Sequence, residues 1–296
     1  MPTSQSLLDP DFVKKIEALN LVSKRAFAGQ AKGDRRSVKR GTSIEFADYR
    51  EYAHGDDLRY VDWKAYARLD KLFLKLFIEE EDLNLHLLID TSESMNFGEP
   101  LSKADYARRM AAALGYIALS EHDRVLVAPF NASLGDPMPP QRGKQGIIPF
   151  FRYLEDKTPV GGQTSFGDAL TRYAAQIKSR GIAVVISDFF DESYMRGIKA
   201  LLARKMQILL LHVLDKDEID PPLTGDLKLI DSETGEYREV SISPHLLAQY
   251  KEQVKSFCDS LRSMSSRYGM DYVQTSTSVP FETVVMQSLR RVGLVK

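Results

Sequence analysis

The apolar run LHLLID closes at Asp90 and continues as TSESMNFG, so Asp90, Ser92 and Ser94 set one carboxylate and two hydroxyls at a spacing of two residues. Two further groups of small oxygen donors stand downstream: Thr164, behind two glycines in VGGQTSFGDAL, and Asp188, at the end of the apolar run in VVISDFFD. Two carboxylates and three hydroxyls suit a small hard cation, because Mg2+ and Mn2+ take about six oxygen ligands and accept water among them. Contacts that run through water would leave a coordination position open to an outside ligand. Two other chemistries compete for the same residues. Serines after a strand are common helix caps, and an aspartate in this place can open the phosphotransfer loop of a phosphohydrolase. Such an enzyme needs a second carboxylate two residues on, where this chain has Ser92.

Other catalytic machinery is missing from the sequence. There is no G-x-S-x-G turn to present a nucleophilic serine, and His54, His86, His122, His212 and His245 are scattered, with His86 and His212 inside apolar strands where packing is the expected role. The phosphate loop G-x-x-x-x-G-K-[ST] is absent as well: Gly143-Lys144 is followed by Gln145, and Met138 stands where the first glycine belongs.

The elements that must position these donors follow from hydrophobic periodicity. Strands are predicted at 83–90, 124–130, 181–190 and 206–214, alternating with helices at 102–120, 166–180 and 192–204. Continuous apolar strands between helices specify an α/β fold with a doubly wound, mainly parallel sheet covered on both faces. In such a sheet ligands collect beyond the carboxyl ends of the strands, where all three donor groups stand. Two alternating runs around Asp231-Ser-Glu-Thr-Gly235 predict a β-hairpin insertion at about 225–243; a helix at 245–268, a strand at 270–276 and a last helix after Pro280 then return the chain to the sheet.

Ahead of this domain, assigned to 81–296, an amino-terminal region of 1–80 has a different texture. Phe12, Val13, Ile16, Leu19 and Val22 predict a helix over 10–28, begun at Asp9-Pro10, and Lys32, Arg35, Arg36, Lys39 and Arg40 make 24–40 an exposed basic loop. The segment 41–70 is dense in arginine, aspartate and aromatics, the composition of an ion-pair lattice, and is expected to pack on the α/β domain with Trp63 buried.

Composition limits the partners. With 43% hydrophobic and 27% charged residues and a formal net charge of -1, the chain has a real core and no global attraction for nucleic acid or anionic membrane. The basic loop lacks the interleaved aromatics of a nucleic-acid arm. A single cysteine, Cys258, excludes an intramolecular disulfide. The longest apolar runs fall short of the roughly 20 residues of a membrane span, and a cytoplasmic location is expected.

D-x-S-x-S with a distal Thr in a glycine turn and a distal Asp after a strand resembles the metal-ion-dependent adhesion site of von Willebrand factor type A domains. The series GTSIEFADYREYAHGDDLRYVDWKAYAR, followed by Glu79-Glu80-Glu81 and LLIDTSESM, resembles the domain-of-unknown-function 58 family of bacterial proteins, and the likeness runs from about residue 24 through MDYVQTSTSVPFETVV. Its signature positions are Glu45, Phe46, Arg50, Tyr52, Gly55, Asp56, Asp57, Arg59, Asp62, Trp63 and Arg68. Many members carry membrane helices; this chain has none by pattern. The resemblance implies that Asp90, Ser92, Ser94, Thr164 and Asp188 hold Mg2+ or Mn2+. It also implies a non-enzymatic module that binds a protein carboxylate, acting as an adaptor beside a MoxR-type AAA+ ATPase in the assembly or maturation of other proteins. The alternative is a metal-dependent phosphohydrolase using Asp90.

Overall fold

A computed structural model describes residues 7–22, 44–79, 83–131, 133–156, 165–230 and 237–296. The basic loop at 24–40, Thr164 and the turn of the predicted hairpin lie outside the described residues, as do the side chains of Glu45 and Phe46. The chain divides into two compact units, with boundaries after residues 26 and 82.

Helix α1 (Pro10–Ile16) starts as its sequence specifies: Pro10 takes the first helical position and the Asp9 carboxylate accepts the Asp11 N–H at 2.7 Å. It ends far short of residue 28, because Leu21 already pairs with Val295 in an antiparallel bridge. Phe12 meets Phe281 edge-on at 5.2 Å between ring centres, and the Tyr116 hydroxyl donates to Glu17. The apolar stripe of α1 therefore completes the α/β unit, whereas the sequence groups this helix with the charged segment that follows it.

That charged segment is a unit of its own. Strands β1 (Ile44–Glu51) and β2 (Phe73–Glu79) pair antiparallel, with a register shift between Phe46 and Asp48, and the excursion between them holds helix α2 (Trp63–Leu69). Asp62 is the residue this helix needs: its buried carboxylate accepts the N–H groups of Lys64 and Ala65 and the Tyr49 hydroxyl at 2.8 Å. Arg50 pairs with Asp56 at 2.7 Å and Arg59 with Asp57 at 2.6 Å, so the charges form local pairs that brace the turn around Gly55. Within this unit Trp63 enters no core. It stands at the first position of a helix that buries no residue, 58% exposed and edge-on to Tyr66.

The larger unit continues in chain order through β3 (Asn84–Asp90), α3 (Lys103–Ser120), β4 (Arg124–Phe130), β5 (Gln141–Arg142), α4 (Ile147–Asp156), α5 (Phe166–Gln176), β6 (Ile182–Ser187), α6 (Tyr194–Ala203), β7 (Gln207–Leu214), α7 (Lys216–Ile219), β8 (Gly225–Ile230), β9 (Tyr237–Ile242), α8 (Pro244–Arg267), β10 (Asp271–Ser276), α9 (Phe281–Thr283), a π turn at Val284–Ser288 and α10 (Leu289–Arg291). Among the described residues its central sheet has the order β10-β7-β6-β3-β4-β5, parallel except for β5. The pair β8 and β9 forms the expected hairpin excursion, and β10 rejoins the sheet beside β7.

Alternate strand residues point to opposite faces. Leu88, Val185 and Leu210 share a buried cluster with Leu170 of α5, Ile198 of α6 and Leu261 of α8, while α3 packs on the sheet with the alanines that its sequence concentrates. Gly115 lets α4 seat on α3: a Cβ there would stand 2.1 Å from the Phe150 ring. Beta-3 leads by α3 to β4 on one side, whereas its neighbour β6 leads by α6 to β7 on the other. The two connections diverge and open a crevice beyond the carboxyl ends of β3 and β6.

His86 on β3 is buried, with Nδ1 and the Tyr173 hydroxyl 2.7 Å apart, and burial depresses its pKa to about 4.

Replacing Gly115 by alanine should cost about 1–3 kcal/mol in urea unfolding through overpacking against Phe150. For His86 the unfolded chain takes up a proton below its ordinary pKa while the folded chain does so only near 4. Stability from this group is present at neutral pH and lost as pH falls through that window, by about 2 kcal/mol at pH 5. Denaturation at pH 7 and pH 5 should show His86→Gln losing that much less than wild type.

Candidate functional site

The parallel register of β3 and β6 matches Ile89 with Ile186, which brings Asp90 and Ser187 side by side at the strand ends. The Ser187 hydroxyl donates to Asp90 Oδ2 at 2.6 Å and accepts the Phe189 N–H at 2.8 Å. Asp90 Oδ1 accepts the Ser92 N–H at 2.9 Å, and the Ser92 and Ser94 hydroxyls lie 3.1 Å apart. Thr91 extends the strand by two hydrogen bonds to the Phe130 carbonyl. Ser92 precedes a 3-10 turn at Glu93–Asn96, yet its hydroxyl makes no capping bond there. The capping role is thereby removed for Ser92, whose hydroxyl turns to Ser94 and Asp90.

Asp90 is 2% exposed. Burial, and after it the charge of Asp188, push its pKa up to about 7, against the opposing hydrogen bonds from Ser187 and Ser92. Asp188 reaches this place through a strained backbone. Phe189 has φ +58°, a left-handed conformation costly for a bulky residue, and it is held there by burial of its ring against Phe166, Tyr194 and His212.

On its other side Asp188 meets a residue that the sequence does not announce as part of the site. Lys103, in the first turn of α3, is 0% exposed, and its Nζ lies 2.7 Å from Asp188 Oδ2 and 2.6 Å from Glu218 Oε1. Burial works to lower the lysine pKa, but Asp188 and Glu218 reverse this and hold it above the ordinary value. Glu218 is tied in turn by the capping box of α7, in which Asp215 and Glu218 each accept backbone N–H groups, and the Thr277 hydroxyl donates to Asp215. Gly98, at φ +113°, allows this contact, since a Cβ there would fall 2.7 Å from Asp215 Oδ2.

The start of α5 is fastened to the loop after Asp188: the Phe166 N–H donates to Asp191 at 3.0 Å and the Gly167 N–H to the Ser193 hydroxyl at 2.8 Å. Of the five sequence-derived donors, Asp90, Ser92, Ser94 and Asp188 converge in the crevice, and Thr164 falls outside the described residues. Among the described residues no group of three or more His, Cys, Asp and Glu is disposed to hold a metal, so this set rests on two carboxylates and on hydroxyls. A narrow cleft lined in part by Thr91, Arg108 and Tyr153 adjoins Asp90. The remaining histidine of interest, His212, packs in the core with its pKa lowered to about 4 by burial, and burial raises the Cys258 thiol.

The family described as "Protein of unknown function DUF58" matches residues 48–257, which include the charged segment from Asp48 and the whole crevice. This chain belongs to the DUF58 family. Uncharacterized family relatives from Mycobacterium tuberculosis and Mycobacterium bovis are each 30% identical over 242 residues, covering 80% of this chain and 76% of the relative. Solved structures similar to this DUF58 chain include the conserved hypothetical protein BatB of Bacteroides thetaiotaomicron, at 16% identity and a TM-score of 0.42 over 71% of this chain and 98% of that one. An aerotolerance-related membrane protein of Bacteroides fragilis gives 18% identity and a TM-score of 0.43 over 71% and 99%. Among the described residues of this member, no helix is long and apolar enough to cross a membrane.

Ser187, Lys103, Glu218 and Asp191 escape sequence reasoning. One signal was available: a lysine in the first helical turn opposes the helix dipole, and on the alanine-rich face of α3 it needs a buried partner.

Replacing Ser187 by alanine removes a donor from Asp90 and an acceptor from Phe189 at once. A loss of about 1–3 kcal/mol is expected for the buried groups left unpaired, measured by chemical denaturation.

Proposed function

We propose that this DUF58 protein is a metal-dependent protein-binding module, a von Willebrand factor type A-like domain in which Asp90, Ser92, Ser94 and Asp188, together with Thr164, hold Mg2+ or Mn2+. The observation that carries the proposal is the buried pair Asp90 and Asp188, close enough for one charge to raise the pKa of the other and flanked by the hydroxyls of Ser92 and Ser94. Hard oxygen donors whose acidic charge Lys103 offsets only in part, at the mouth of a crevice, fit a small divalent cation. Bound there, the ion would offer Lewis acidity to an incoming oxygen ligand.

The chain's own residues set what that ligand can be. The serine hydroxyls are neutral donors and Lys103 takes part of the charge of Asp188, so the ion keeps charge to be matched from outside, which favours a carboxylate. The position two residues beyond Asp90, where a phosphohydrolase of this kind needs a second carboxylate, is Ser92, which favours binding over hydrolysis. By the family resemblance the partner is a MoxR-type AAA+ ATPase or its client, met in the cytoplasm, and the module is an adaptor in assembly or maturation of other proteins.

Calorimetry with Mg2+ and Mn2+ should give one ion bound by wild type and none by Asp90→Ala, and equal binding by both proteins would remove the site. A purified MoxR-type ATPase should be retained by wild type, and released by chelator and by Asp90→Ala. Metal-dependent turnover of phosphatase substrates, abolished in that variant, would establish the phosphohydrolase in place of the adaptor.

A further inference from the structure

The lysine between the two acidic loops has a further consequence for the proposed ion. We infer that Lys103 is a resident monovalent cation that competes with the divalent ion for Asp188 and so holds the affinity of the site down. The inference rests on the metal-binding function proposed above.

Lys103 is fully buried, with its ammonium 2.7 Å from Asp188 and 2.6 Å from Glu218 and 5.4 Å from the centre of the Phe190 ring. A cation in the first turn of a helix works against the helix dipole, so α3 itself gains nothing from a lysine at that position. Its partners come from elsewhere in the chain: Asp188 from the loop after β6, Glu218 from α7 after β7. One positive charge thus neutralises, in part, a carboxylate that is also a donor for the ion.

Two consequences follow from simple electrostatics. An ammonium in contact with Asp188 repels a divalent cation drawn to the same carboxylate, and at the reduced dielectric of a buried site this is enough to change affinity by an order of magnitude. The same ammonium keeps Asp188 and Glu218 paired when the ion departs, so the ion-free site avoids bare buried charges. A site built in this way can empty and refill without unfolding, and it holds its ion firmly only when an outside carboxylate adds the charge that Lys103 offsets. A lysine serving only to join α3 to the two loops would affect folding and leave ion affinity unchanged once folding is restored.

The test is Mn2+ titration by calorimetry, with the metal-induced rise in melting temperature as a second readout. Lys103→Met keeps the length of the side chain and removes the charge; it should bind Mn2+ about tenfold more tightly than wild type and gain more in melting temperature from the ion. Because Lys103→Met takes the cation from buried Asp188 and half-buried Glu218, Lys103→Met with Glu218→Gln is compared with Glu218→Gln alone, and the same gain of about tenfold is expected in that background. Affinity that is unchanged or weaker in the folded variants overturns the inference and leaves the metal site standing. Failure of wild type to bind any divalent ion overturns both.

Discussion

The parallel pairing of β3 with β6 is the constraint on which the rest of this molecule depends. The two strands lie almost a hundred residues apart in sequence, and their register, Leu85 with Ile182 through Ile89 with Ile186, sets Asp90 against Ser187 and brings Asp188 to the same edge. Because the connections leaving the two strands run in opposite directions along the sheet, the backbone itself makes room beyond their ends. A slip of one residue in this register would turn Asp90 toward the opposite face and put Ile89 or Thr91 in its place.

Around that pairing the protein concentrates buried charge to an unusual degree. Asp90, Asp188 and Asp215 are each no more than 2% exposed, and Lys103 is fully enclosed. Each is tolerated because neighbours supply hydrogen bonds: Ser187 and the Ser92 N–H to Asp90, Lys103 to Asp188 and Glu218, Thr277 and the α7 backbone to Asp215. Such networks contribute less to net stability than an apolar core of the same volume would. Their persistence in the interior is what a functional site would require, with the strained Phe189 backbone as a second cost concentrated at the same point.

Much of the architecture was legible in the sequence for a plain reason: strands such as ILLLHVL, buried on both faces, are continuous apolar runs, and the hairpin advertises its turn with Asp231 and Gly235. Helix α4 escaped notice because IIPFFRYL interrupts its own period with Pro149, which is harmless only because it falls in the first turn, where the missing N–H has no partner to lose. The strands β1 and β2 were hidden by the density of charge between them, and Trp63 misled because an aromatic residue at the start of a short helix need not reach a core. In the crevice, the acid and hydroxyl positions could be read from spacing, since each follows directly on a strand. Lys103 and Glu218 could not, because their meeting is decided by how α3 and α7 seat on the sheet.

The place of α1 in the larger unit gives the chain a discontinuous core. Phe12 and Ile16 lie in the same unit as Phe281, Leu294 and Val295, yet the whole of the small unit intervenes in sequence between that helix and β3. The small unit is therefore an insertion, and a fragment cut to begin at β3 would lack a piece of its own interior. On the ribosome α1 emerges well before Tyr116, Phe281 and Val295, the residues that it and the turn after it meet.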